Sequence, residues 1–191
     1  MRYLLIALFI GVLAACKPVT EANQLVATDI TGADFGQVLN LTDHTGKQRT
    51  MADFKGKAVA LFFGYTHCPD VCPTTMADLK QTMKLLGPRA DELQVLFVTL
   101  DPARDSQAVL AQYVPSFDAR FIGLRGSEQE IADTAAGFKI YAKKVDAQGQ
   151  GGYTVDHSAG MYVFDKTGKI RLYVDYGEKP ADMANDIKQI L

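Results

Sequence analysis

Gly64-Tyr65-Thr66-His67-Cys68-Pro69-Asp70-Val71-Cys72-Pro73-Thr74-Thr75 is the stretch that decides how this chain folds. The apolar, β-prone run Ala58-Val59-Ala60-Leu61-Phe62-Phe63 leads into it. Apolar residues at helical spacing, Met76, Leu79, Met83 and Leu86, lead out of it. The two cysteines therefore sit at a strand-to-helix turn. A helix start carries unpaired N–H groups and a partial positive charge, which predicts thiolate character at both sulfurs. Thiols with an ordinary pKa of roughly 8.5 titrate at about 3.5–7.5 in such settings. Pro69 and Pro73 both suit a first helical turn, so the helix can open at either. At ~1.5 Å rise per residue, one turn separates the two Cα atoms by about 6 Å. That span suits a disulfide, and it equally suits two thiolates on one soft metal ion. Spacing alone leaves redox and metal chemistry both open.

Downstream, Leu93 to Leu100 reads as a second buried strand, ended by Asp101-Pro102-Ala103-Arg104-Asp105-Ser106. Ser106 can cap a helix carrying Val109, Leu110 and Tyr113. Phe121-Ile122-Gly123-Leu124 reads as a short strand. Ser127-Glu128-Gln129-Glu130 is a capping box opening a helix through Ile131, Ala135 and Phe138. A strand over Ile140 to Val145 then enters the glycine-rich loop Gln148 to Gly152. Met161 to Phe164 and Ile170 to Val174 form a hairpin around Asp165-Lys166-Thr167-Gly168, and a last helix starts near Pro180. Upstream, Val38-Leu39-Asn40-Leu41 and Gln48-Arg49-Thr50-Met51 flank a turn that places His44 in solvent. Strands alternating with helices imply parallel pairing and an α/β layer architecture.

The N-terminus has another character. Arg2 is followed by the apolar run Leu4 to Ala15 and then by Leu13-Ala14-Ala15-Cys16 at its end. The run is short of the ~20 apolar residues that span a bilayer, so residues 1–15 read as a secretory signal. Small residues before a cysteine resemble a bacterial lipobox, which implies a lipid anchor on Cys16, a tether over residues 16–33 and a folded domain over 34–191. Cys68 and Cys72 would then be the domain's remaining thiols, in an oxidising compartment. The net charge of −2 comes with no dense Lys/Arg block, which excludes a nucleic-acid surface. Hydrophobic content of 48% with 22% charged residues is that of a folded domain and excludes wholesale disorder.

His157 stands in Val155-Asp156-His157-Ser158-Ala159-Gly160, ahead of the Met161 strand. Taken alone, a histidine at a strand entrance is commonly a hydrogen-bonded structural residue. The order of elements, however, is that of thioredoxin-like domains: a central mixed sheet flanked by helices, with an N-terminal hairpin. The sequence resembles the Sco/SenC family through Gly64 to Pro73, Asp101-Pro102-Ala103-Arg104-Asp105 and Asp156-His157-Ser158. In thioredoxin-like proteins the loop before the last hairpin faces the cysteine turn and usually carries a cis-proline, whose place falls here at Ala159.

The resemblance implies that Cys68, Cys72 and His157 bind one copper ion. Two thiolates and an imidazole form a soft set suited to Cu(I) and able to hold Cu(II). Structural zinc would ordinarily take a fourth protein ligand. Asp70 and Asp101 are candidates for orienting the ligands, or for capping a helix and forming a turn. Arg104 with Asp105 reads as a structural ion-pair neighbourhood, Tyr65 as a rim or packing residue, and His67 as a neighbour of the site.

The function implied is a membrane-tethered metallochaperone in the bacterial cell envelope, facing the periplasm or exterior. It would deliver copper to the binuclear centre of cytochrome c oxidase subunit II during assembly. A periplasmic copper donor and a thiol reductant are the further partners implied. The alternatives are a thiol–disulfide oxidoreductase using a Cys68–Cys72 disulfide, and a copper or redox sensor.

Overall fold

The computed structural model describes residues 24–36, 38–146 and 152–191. The signal-like run, Cys16, the first part of the expected tether and most of the Gln148 to Gly152 loop lie outside the described residues.

The fold is built on Ala58–Gly64 (β4), buried along its whole length, as is its parallel neighbour Leu93–Thr99 (β5). A strand buried on both faces loses the alternation of polar and apolar residues, which is why β4 reads as a continuous apolar run and β5 is interrupted only by buried Gln94 and Thr99. The helix Val71–Leu86 (α1) crosses between them. Ile122–Arg125 (β6) continues the parallel set beside β5. On the other side of β4, Met161–Phe164 (β9) and Ile170–Val174 (β10) form the expected antiparallel hairpin. The N-terminal hairpin is Asn40–Asp43 (β2) with Gln48–Thr50 (β3), and β2 lies against β6. With Thr28–Asp29 (β1) on the far edge, the sheet has, among the described residues, eight strands in the order β1-β10-β9-β4-β5-β6-β2-β3. Gln107–Tyr113 (α2), Glu128–Gly137 (α3) and Pro180–Ile190 (α4) complete a thioredoxin-like domain.

Successive residues of β4 serve opposite faces. Phe63 packs on Phe138, just past α3, with ring centres 5.4 Å apart, whereas Phe62 meets Phe97 of β5 at 6.1 Å. Each fully buried phenylalanine contributes roughly 1.5–3 kcal/mol by leaving water. The capping box of α3 forms as its sequence predicts: Ser127 Oγ accepts from the Glu130 amide, and the Glu130 carboxylate accepts from the Ser127 amide at 2.7 Å.

Three expectations change. The folded body starts before Asp34: β1 pairs with β10, and the amides of Val26 and Ala27 donate to buried Asp186 at 2.9 and 2.7 Å. His44 is not simply solvated, because its Nδ1 accepts from the Gly123 amide at 3.0 Å and joins the β2 turn to β6. The strand after α3 is not part of the main sheet. Ala142–Asp146 (β7) pairs with Tyr153–His157 (β8) as a separate hairpin, which makes His157 the last residue of a strand.

Candidate metal centre

Gly64 ends β4, and the chain turns through Thr66, His67 and Cys68 before α1 begins at Val71. This turn is held by Asp105. Its carboxylate accepts from the Thr66 amide at 3.0 Å, the Thr66 hydroxyl at 2.6 Å and the Thr99 hydroxyl at 2.6 Å. Cys72 is the second residue of α1 and fully buried, while Cys68 is half-buried. The Cys72 amide, one of the unpaired donors of the helix start, points at Cys68 Sγ at 3.4 Å. Both cysteines are free thiols.

His157 reaches the pair from β8. Its Nδ1 lies 2.8 Å from the Ser158 carbonyl, and a carbonyl can only accept, so Nδ1 carries the proton. The lone pair of Nε2 is thereby left facing Cys72 Sγ at 3.6 Å. The Tyr65 ring stands edge-on to the imidazole at 5.9 Å, and Phe62 at 6.4 Å. Burial pushes the His157 pKa down, against an opposing hydrogen bond to Ser158 and the nearby Asp156 charge, so the ring is neutral near pH 7.

The donor atoms of Cys68, Cys72 and His157 all lie within 4.8 Å of one another. Bonds of about 2.0–2.3 Å to nitrogen and sulfur place donors on a shared ion roughly 3.5–4.5 Å apart. The cluster therefore fits one soft cation. Among the described residues this is the group with metal-ligating geometry, and neither Asp70 nor Asp101 belongs to it.

Asp70 precedes α1, with its carboxylate turned to the Thr74 hydroxyl at 3.4 Å. Asp101 is buried and accepts from the Tyr153 hydroxyl at 2.8 Å and from Arg104 Nε. It touches the strand that carries His157 without reaching the ligands. Arg104 thus pairs with Asp101 rather than with Asp105. His67 turns away, its Nδ1 3.1 Å from Thr66 Oγ1 and 3.7 Å from Asp105.

The expected thiolate at both cysteines also changes. Burial pushes the Cys72 thiol far above its ordinary range, and the neighbouring Cys68 and Asp105 charges add to it. Desolvation in the core outweighs the helix start, so Cys72 binds a cation only by giving up a proton.

The comparisons with known proteins bear on this geometry. A SCO1/SenC family model matches residues 27–191. The chain belongs to the SCO1/SenC family. It is 40% identical over 149 residues to the mitochondrial SCO2 homologue of Danio rerio, covering 77% of this chain and 51% of that protein. It is 30% identical over 169 residues to the mitochondrial SCO1 homologue of Homo sapiens, covering 87% and 55%. The chain thus spans about half the length of these curated relatives. Among solved structures, copper-bound ScoI of Bradyrhizobium japonicum is similar at 39% identity with a TM-score of 0.75, covering 82% of this chain and 99% of that one. Copper-bound ScoI of Arabidopsis thaliana is similar at 28% identity and a TM-score of 0.77, covering 82% and 98%. The SCO1/SenC likeness includes both halves of the centre, since the matched residues take in Cys68, Cys72 and His157. Sequence reading alone missed Asp105, Thr66 and Tyr153 as supports of the site. The signal for Asp105 was the stretch Asp101-Pro102-Ala103-Arg104-Asp105, whose charged residues follow a largely apolar strand.

Proposed function

We propose that this protein is a membrane-tethered copper metallochaperone whose cargo is held by Cys68, Cys72 and His157. On this reading it delivers copper to the binuclear centre of cytochrome c oxidase subunit II during assembly, after loading by a periplasmic donor. The observation that carries the reading is the convergence of two sulfurs and one imidazole nitrogen within 4.8 Å. Such a soft, three-donor set suits Cu(I) and tolerates Cu(II). Copper-bound ScoI relatives with the same fold support it.

The chain's own groups make the cargo exchangeable. His157 is neutral with Nε2 unprotonated, and the Ser158 carbonyl fixes the ring. Cys68 and His157 are partly exposed, whereas Cys72 is enclosed, so an acceptor's ligand approaches from the Cys68 side. A three-ligand site leaves room for that ligand to enter before a donor leaves. The anchor is assigned to Cys16, with the domain in the cell envelope outside the cytoplasm. Among the described residues no helix is long and apolar enough to cross a membrane.

One observation favours a second reading. A half-exposed Cys68 beside a buried Cys72 is the asymmetry of an attacking and a resolving thiol, as in a thiol–disulfide oxidoreductase. His157→Ala separates the two. A chaperone loses about 10–100-fold or more in Cu(I) affinity, measured against a competing chelator, yet keeps a reducible Cys68–Cys72 pair. Unchanged affinity would remove His157 from the site, and retained exchange with a disulfide substrate at unchanged copper affinity would favour the oxidoreductase.

A further inference from the structure

The short loop between β5 and α2 touches both halves of the metal centre. Asp105, fully buried, holds the cysteine turn through the Thr66 amide and hydroxyl at 3.0 and 2.6 Å. Its chain neighbour Arg104 holds the other half. Arg104 Nη1 donates to the Tyr153 carbonyl at 2.8 Å, and the guanidinium carbon lies 3.8 Å from the centre of the Tyr153 ring. Asp101, buried, completes the grip by accepting from Arg104 Nε and from the Tyr153 hydroxyl. Tyr153 and His157 are the first and last residues of β8. The same guanidinium also lies 5.7 Å from the Tyr65 ring, whose edge meets the His157 imidazole.

This grip matters because the histidine strand lies outside the main sheet. β8 hydrogen-bonds to β7 and not to the eight-stranded sheet, and every residue of β7 is exposed. Val155 is its buried anchor, and the Ser158 amide ties its base to the Tyr141 carbonyl at 3.0 Å. A hairpin so attached opens more readily than the sheet beneath it. A ligand strand that drifts by more than about 0.5 Å no longer presents its nitrogen to two sulfurs fixed on α1 and its turn.

We propose that Arg104, oriented by Asp101, is a positioning residue for His157, and that with Asp105 it sets the separation between the histidine strand and the cysteine turn. The consequence for copper rests on the function proposed above, whereas the consequence for the strand does not. A planar guanidinium is needed, because it must bond a carboxylate and a carbonyl while lying on a ring. An ammonium offers charge without that fork.

The test uses Arg104→Gln and Arg104→Lys, each alone and combined with His157→Ala, with two readouts. In the metal-free domain, amide hydrogen exchange across residues 153–157 is expected to quicken about tenfold in both Arg104 variants while β4 and β5 amides stay protected. Cu(I) affinity by chelator competition is expected to fall about 10–100-fold in either variant, and by about twofold or less when His157 is already alanine. Tyr153→Phe, which removes one hydroxyl, gives a smaller change in the same direction and serves if Arg104→Gln fails to fold. Unaltered exchange in β8 would overturn the proposal, as would rescue by Arg104→Lys. An equal loss of affinity with and without His157 would also overturn it, because Arg104 would then act on general stability. A parent protein that ignores Cu(I), or binds it equally without His157, would refute the chaperone reading and leave the exchange measurement to decide the positioning role.

Discussion

Replacing Gly64 by alanine tests the packing that shapes the cysteine site. Gly64 lies outside the left-handed backbone region, so the effect of a methyl group is steric. An ideal Cβ there would stand 2.8 Å from Cys72 Sγ, 3.0 Å from Phe97 Cε2 and 3.1 Å from Phe62 Cε1. Ordinary carbon contacts need about 3.5–4.0 Å, so the sulfur and both rings must each yield by several tenths of an ångström. All three side chains are fully buried. Overpacking of this kind costs about 1–3 kcal/mol, or roughly 2–4 °C in Tm per kcal/mol for a domain of this size. A displacement of ~0.7 Å at Cys72 Sγ exceeds the ~0.5 Å tolerance of a preorganised site, so Cu(I) affinity should fall by about 10–100-fold as well. Thermal unfolding of the metal-free variant and chelator competition of the reduced variant read the two effects. Parental Tm together with parental affinity would refute the placement of Cys72 against the end of β4.

Glu178 supplies a pH prediction. Burial, together with repulsion from Asp186, Asp182 and Asp175, pushes its carboxyl up to about 7, and its buried Oε1 has no hydrogen-bond partner among the described residues. The folded state therefore keeps a proton that the unfolded chain releases above about 4.5, so stability falls as pH rises from about 4.5 to 7 and levels off beyond. Glu178→Gln should remove that slope and gain about 1 kcal/mol at pH 8, after allowance for partial exposure of the group; urea unfolding at pH 5 and 8 checks it. An unchanged slope in the variant would assign the pH dependence elsewhere. Cys16→Ala should abolish incorporation of labelled palmitate and release the protein from the membrane fraction, whereas continued labelling would end the lipoprotein assignment.

The parts of the fold legible in the sequence are those whose physics is local. β4 and most of β5 are apolar because both faces are covered, and Ser127 and Glu130 cap α3 through neighbouring atoms. The cysteine turn is legible for the same reason. His157 is not, since it meets Cys72 across 85 residues of chain, and it was the family resemblance that brought the two together. β8 carries Val155 as its buried residue and so leaves no strong apolar period to read, whereas the strand expected over Ile140 to Val145 covers most of its partner β7. The protonation of Cys72 also escapes local reasoning. Helix position argues for a thiolate, but desolvation wins at a sulfur buried against the end of β4. The ion pair expected around Arg104 and Asp105 does form, but with Asp101, because Asp105 is committed to Thr66 and Thr99.

Copper binding and disulfide formation draw on the same sulfur lone pairs, so the two states must exclude one another. Oxidation of Cys68 and Cys72 removes two of the three donors, and in an oxidising compartment the metal-free protein needs a thiol reductant before loading. Anaerobic titration with Cu(I), following thiol accessibility and proton release as metal is added, tests this directly. The reduced protein should take up one equivalent tightly, lose the reactivity of both thiols together and release the proton of buried Cys72, while the oxidised protein should bind no tight equivalent. Equally tight, stoichiometric binding by both forms would contradict the account, because His157 alone cannot hold the ion.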